Sequence, residues 1–280
     1  MILLAAFTLA STSIVQAKVM SLPPLDREAA SPQFLGQDIA YNGGPVISHV
    51  KVYAVFWGSK VSAETVSKIP AFYQAMVNST YMDQLAEYGT RRNDVNGKAG
   101  TQQDIGRGTF GGTFTIVPVN ASTKLNQAAI EQELEKQISM GTLPKPDADS
   151  MYMIHYPQGI SISISFGAAC SSWEADHEFY HSAQYGNIYY AMMPNCGGSF
   201  SKLTMASSHE LAEAVTDPAS PLEHAPIVFP AAWIRADGQE IGDVCAWQGA
   251  TLALGATKYN VQKEWRNTTH DCGASSFIAQ

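Results

Sequence analysis

The stretch SSHELAEAVTDP, residues 207–218, is the one around which the chain is organised. It predicts one short helix, from Leu203 to Thr216, followed by a stop at Asp217, because the residue before Pro218 is pushed out of helical geometry. At about 100° per residue, His209, Glu210, Glu213 and Asp217 share an arc of roughly 100°, while Leu211, Ala214 and Val215 point the other way. An imidazole and a carboxylate at i and i+4 reach one cation together. A carboxylate directly after the His can take a proton from water held there, as in the His-Glu-x-x-His zinc helix. Here Glu213 stands where that motif has its second His. The expected metal ligands are therefore His209 and Glu213, with Glu210 as the catalytic base. The plainer reading is a solvated acidic face. Against it, the helix has no Lys or Arg after Lys202 to offset its carboxylates.

A helix presents one edge to an ion, so a third ligand is expected from a separate segment about 20 or more residues downstream. The segment GQEIGDVCAW offers Glu240 and Asp243, and Asp243 is the expected third ligand. Asp217 is the competing candidate, as a ligand or as a partner that orients a ligating His. Read as structure alone, EIGD is an ordinary turn.

Upstream, His177 to His181 spell HEFYH, the letter pattern of the common zinc helix. It lies in a cysteine-bounded stretch of about 25 residues before Gly186 and a strand at 188–193, with little room for a helix of two to three turns. A further possibility is that His181 approaches the main site from this loop. His155, alone in an apolar strand, reads as a core residue. Ser207 and Ser208 beside His209 do not suggest a serine hydrolase, because no G-x-S-x-G elbow is present.

Around this centre the sequence reads as strands and helices in alternation. VISHVKVYAVFWG, residues 46–58, predicts a strand buried on both faces. Ser62 opens a helix towards Met76, with Pro70 expected to kink or divide it, and a short helix follows at 81–88. A polar, glycine-rich connection over 89–112 leads to a strand at 112–119. Ser122 is the expected N-cap of a helix closed by Gly141, and MYMIHY, residues 151–156, is another buried strand. The order implies an α/β fold, a single-domain layered α/β sheet with packed helices, a zincin-like metal helix and two disulfides over residues 45–280. Residues 18–44 read as an extended leader or pro-segment.

Residues 1–17, MILLAAFTLASTSIVQA, have the shape of a secretory signal peptide, and the chain that remains after its removal is long enough for a substantial core. The four cysteines, Cys170, Cys196, Cys245 and Cys272, show no C-x-x-C spacing. In a secreted chain they form two disulfides, most simply Cys170 with Cys196 and Cys245 with Cys272, although three connectivities exist. Sequons stand at Asn78, Asn120 and Asn267. A net charge of −8 and a pI near 5.3 speak against nucleic acid as a partner, and no later stretch is apolar enough to span a membrane.

The segments YNGGPVISHVKVYAVFWG and YHSAQYGNIYYAMMP, the TDP that follows HELAEAV, and the C-terminal YNVQKEWRNTTHDC together resemble the Exordium family, also called phosphate-induced protein 1, over roughly residues 41–272. The resemblance implies a secreted protein, often associated with cell wall or matrix and linked in plants to growth control. Plant members tend to show TNP where this chain has Thr216, Asp217 and Pro218, and do not generally keep a His-Glu pair at His209 and Glu210. The chain thus resembles a microbial or fungal relative with the full acidic helix.

Two functions follow from these residues. The first is a secreted zinc-dependent hydrolase, most specifically a metallopeptidase acting on a peptide or protein, with another divalent metal as an alternative to Zn²⁺. The second is a non-catalytic extracellular protein that binds wall polysaccharide or a surface partner, with Tyr185, Tyr189, Tyr190, Trp233 and Trp247 available to stack on sugars.

Overall fold

The strand at Lys51–Trp57 is apolar on both faces because it runs through the middle of a sheet, with Val52, Ala54 and Phe56 in one apolar cluster and Tyr53, Val55 and Trp57 in another. We describe residues 38–219 and 231–275 of a computed structural model of the chain. In these residues the strands are β1 (Ala40–Tyr41), β2 (Lys51–Trp57), β3 (Thr109–Ile116), β4 (Lys124–Asn126), β5 (Ser150–His155), β6 (Ser161–Ile164), β7 (Gly167–Ala168), β8 (Asp176–Ser182), β9 (Gly186–Met193), β10 (Trp233–Ile234), β11 (Gly249–Leu254), β12 (Thr257–Gln262), β13 (Glu264–Arg266) and β14 (Asp271–Gly273). The helices are α1 (Ala63–Met76), α2 (Thr80–Asp83), α3 (Gln127–Ser139) and α4 (Phe200–Thr216). The architecture is mixed α/β.

Five strands form the main sheet in the order β3-β2-β5-β9-β8. The first four are parallel to their neighbours, and β8 closes one edge antiparallel to β9 through a hairpin. On one face, Met151, Met153, Ala191 and Met193 join Val52, Ala54 and Phe56 against Ile69, Phe72 and Tyr73 of α1 and Leu211, Ala214 and Val215 of α4. On the other, Tyr152, Ile154, Tyr190 and Met192 pack with Ile130, Leu134 and Ile138 of α3. The site therefore sits on the α1/α4 side.

Several local expectations shift. Helix α1 starts after Ser62, whose hydroxyl accepts from the Thr65 N–H, but it runs unbroken past Pro70. The segment expected as one helix at 81–88 is α2 followed by a 3-10 turn, Gln84–Tyr88. Asn126, not Ser122, caps α3: its side chain accepts from the Ala129 N–H, and β4 occupies the residues between. Strand β3 begins at Thr109, earlier than expected. The described end of the expected leader, residues 38–44, is built into the fold: β1 pairs with β10, and Ile39 and Tyr41 are buried. The signal-peptide reading of residues 1–17 lies outside the described residues.

Both disulfides join the cysteines nearest in sequence, Cys170–Cys196 and Cys245–Cys272, and they are compatible with an oxidising compartment. No helix among the described residues is long and apolar enough to cross a membrane. Of the aromatic residues expected to stack on sugars, Tyr189, Tyr190 and Trp233 are core residues, with Trp233 packed on Tyr41 and Tyr88.

Candidate metal centre

Helix α4 begins after Ser199, whose side chain accepts from the Lys202 N–H, and its last turn ends at Asp217 before Pro218 as the sequence predicts. Its acidic face is not solvated. His209, Glu210, Glu213 and Asp217 are each 0% exposed, because three other segments close over them. Strand β8 supplies His177 from the sheet edge; the turn after β10 supplies Glu240, Gly242 and Asp243; the β11–β12 hairpin supplies Gln262. The hairpin is seated on α4 by Thr204 Oγ1 donating to the Asn260 carbonyl at 2.6 Å and by the Gln262 N–H donating to Ser208 Oγ at 2.8 Å.

Glu213 is the hub. Its Oε1 accepts from the backbone N–H groups of Gly242 at 3.1 Å and Asp243 at 2.9 Å, and its Oε2 lies 3.0 Å from His209 Nε2. Burial works against its charge, but His209 and His177 outweigh it and hold its carboxyl below the ordinary range. The approach of the turn is close enough to exclude a side chain: a Cβ on Gly242 would come 2.5 Å from His209 Nδ1 and 2.8 Å from Glu213 Oε1. Glu240 and Asp243 behave oppositely to Glu213. Burial, reinforced by neighbouring carboxylates, pushes both well above the ordinary range. Burial likewise raises Glu210, and it takes Asp217 up to about 7.

The histidine that reaches the site from HEFYH is His177, and His181 does not. In a strand, residues i and i+4 share a face but stand about 13 Å apart, so the two imidazoles cannot meet at one ion. His177 faces α4, whereas His181 is exposed and contacts Asn187. His177 Nδ1 is 3.3 Å from Glu210 Oε2 and 3.8 Å from Glu213 Oε2. Its Nε2 donates to the Asp217 carbonyl at 3.2 Å, so Asp217 orients a histidine through its main chain while its Oδ1 accepts from the Ala232 N–H. Burial lowers the pKa of His177, but the Glu210 carboxylate outweighs it and the net shift is upward.

The hydrogen of His209 is placed by Gln262. That amide accepts from the Trp247 N–H with Oε1 and donates to the Gly242 carbonyl with Nε2, which fixes its orientation. Its nitrogen then donates to His209 Nδ1 at 2.6 Å, leaving the ring hydrogen on Nε2, towards Glu213. The carboxylates pull the ring towards the charged state, taking its pKa up to about 10 although burial lowers it. The amide resists, because a hydrogen on Nδ1 would face one of its own. A cation held at Nε2 would require the ring hydrogen on Nδ1, and the Gln262 amide could accept that hydrogen only by giving up its bonds with Trp247 and Gly242.

Two sets of ligand atoms lie within 4.8 Å of one another: His209, Glu213 and Asp243, and His177, Glu213 and Glu240. The first set contains the three residues that the helix and its downstream window suggest. Gln262 was not foreseen, and whether His177 contributes was left open by the HEFYH pattern; the alternation of DHEFYHS, which puts His177 and Phe179 on one face, is the signal that could have settled it. His155 is a core residue: it shares a hydrogen bond with the Tyr73 hydroxyl at 3.0 Å, and burial lowers its pKa to about 3. Comparison with protein-family models, with curated proteins and with solved structures finds no match to this chain.

Proposed function

We propose that the chain is a secreted metal-dependent hydrolase, in its most specific form a zinc metallopeptidase, built as one layered α/β domain around a zincin-like helix. The reading rests on one observation: His209 Nε2, Glu213 Oε2 and Glu210 Oε1 are buried, converge, and lack a directed hydrogen bond. Buried polar atoms without partners are costly, and a cation among them removes the cost. His209, Glu213 and Asp243 would hold the ion, and an N/O/O set suits Zn²⁺, with Mn²⁺ or Fe²⁺ as other divalent options. A bound zinc would polarise a substrate carbonyl and acidify its water. Glu210, its basicity raised by burial, would take the proton from that water.

The second reading is a non-catalytic, Exordium-like extracellular protein that binds wall polysaccharide or a surface partner and keeps the ion as a structural element. Two observations favour it. Every member of the cluster is between 0% and 6% exposed, and the cavity of about 230 Å³ beside the start of α4 is lined by residues such as His155, Glu174 and Lys202 and by none of the cluster.

The metal content of protein purified without added ions, with hydrolysis of a mixed peptide library, separates the readings. A bound ion lost in His209→Ala, and peptide cleavage lost in a metal-retaining Glu210→Gln, are the expected results. A metal-bound wild type that cleaves nothing leaves the second reading, and a folded wild type that takes up no divalent ion overturns the first.

A further inference from the structure

We propose that the cluster holds two divalent cations bridged by Glu213, one among His209, Glu213 and Asp243 and the other among His177, Glu213 and Glu240. The inference rests on the metal-binding reading above and extends it to a second ion carried by the sheet edge.

Glu240 is the first reason. It is 0% exposed, neither of its carboxylate oxygens has a hydrogen-bond partner, and one of those oxygens lies within 4.8 Å of both a ring nitrogen of His177 and a carboxylate oxygen of Glu213. The tautomer of His177 is the second. Its Nε2–H is committed to the Asp217 carbonyl, the arrangement that orients metal-bound histidines, so the lone pair on Nδ1 faces Glu213 Oε2 and Glu210 Oε2. A tetrahedral ion with bonds of about 2.1 Å separates its ligand atoms by roughly 3.4 Å, close to the 3.8 Å from Nδ1 to Glu213 Oε2. Glu213 is suited to bridge, because two backbone N–H groups hold Oε1 while Oε2 faces both imidazoles. One nitrogen and two oxygens per ion select Zn²⁺, Mn²⁺ or Fe²⁺.

The test is titration of chelator-stripped full-length protein with Zn²⁺ by calorimetry, and with Mn²⁺ by electron paramagnetic resonance. Two equivalents of Zn²⁺ are expected, with an exchange-coupled Mn²⁺ pair. Glu240→Gln and His177→Ala should each fall to one equivalent, and Asp243→Asn should keep the ion at His177. Circular dichroism confirms that each variant is folded. One equivalent in the wild type that is unchanged in Glu240→Gln and lost in Asp243→Asn overturns the second site and leaves the metal reading standing. No uptake by the wild type overturns both.

Discussion

The two disulfides close loops of nearly equal size, with separations of 26 residues for Cys170–Cys196 and 27 for Cys245–Cys272. Loop-closure entropy gives each about 3.5 kcal/mol, so replacing either pair with serines should lower the melting temperature by roughly 10 °C in a chain of this size. The pairs differ in what they hold. Cys245 ends the 3-10 turn that begins at Asp243, and that turn delivers the two N–H groups bound by Glu213. Cys170–Cys196 lies outside this turn, and His177 is held independently by its ladder pairing with Ala191. Losing Cys245–Cys272 should therefore weaken Zn²⁺ binding by about 10- to 100-fold, the range found when groups supporting a ligand are removed. Losing Cys170–Cys196 should change affinity by less than about threefold at a temperature where both variants are folded. Differential scanning calorimetry and Zn²⁺ titration of the two double variants make the comparison. Equal affinities in the two, or a fully retained affinity without Cys245–Cys272, would refute the reasoning.

Gly242→Ala should be costly out of proportion to one methyl group, since its Cβ would stand 2.5 Å from His209 Nδ1. About 2 kcal/mol or more of lost stability in urea melts, together with impaired ion binding, is expected. Glu264, 0% exposed, accepts from the Tyr81 hydroxyl at 2.5 Å, and burial takes its carboxyl up to about 8 from an ordinary value of 4.5. The folded state then holds a proton that the unfolded state releases, so its contribution is complete below pH 4.5 and is lost as pH rises through about 8. Glu264→Gln should flatten the stability profile over that window by up to about 5 kcal/mol in denaturant titrations from pH 4 to 9. Expressed in a glycosylating host, the chain should carry glycans at the exposed Asn78 and Asn120 and not at Asn267. The amide nitrogen of Asn267 donates to the Ile39 carbonyl at 2.8 Å, and site occupancy by mass spectrometry checks this.

Part of the fold was readable because local physics decided it. Lys51–Trp57 is continuously apolar since both its faces are covered, and α4 ends at Asp217 since Pro218 follows it. The start of α3 was misplaced because Ser122 and Asn126 are both able caps, and the choice fell to β4, whose pairing with β6 extends the chain through Asn126. Ile39 and Tyr41 carried no periodic signal, yet they are core residues because β10, nearly two hundred residues later, pairs with Ala40 and Tyr41, and the Asn267 side chain holds the Ile39 main chain. The site divides in the same way. The convergence of His209, Glu210 and Glu213 was legible from helical spacing, and Asp243, expected from a downstream segment, lies within 4.8 Å of His209 and Glu213. His177 was obscured because HEFYH carries the letter pattern of a zinc helix, whereas in a strand the rise of about 3.3 Å per residue sets its two histidines about 13 Å apart along one face.

The sequence by itself determined the helix, its stop at Asp217 and the i and i+4 placement of His209 and Glu213, all set by spacing of a few residues, whereas its start at Phe200 and the choice among three cysteine pairings were settled by the fold. Only the tertiary structure decided that the acidic face is buried, that β8 brings His177 to it, and that Gln262 fixes the hydrogen of His209. Those outcomes depend on which segments close over α4, and desolvation and hydrogen-bond direction take their values only once that packing is complete.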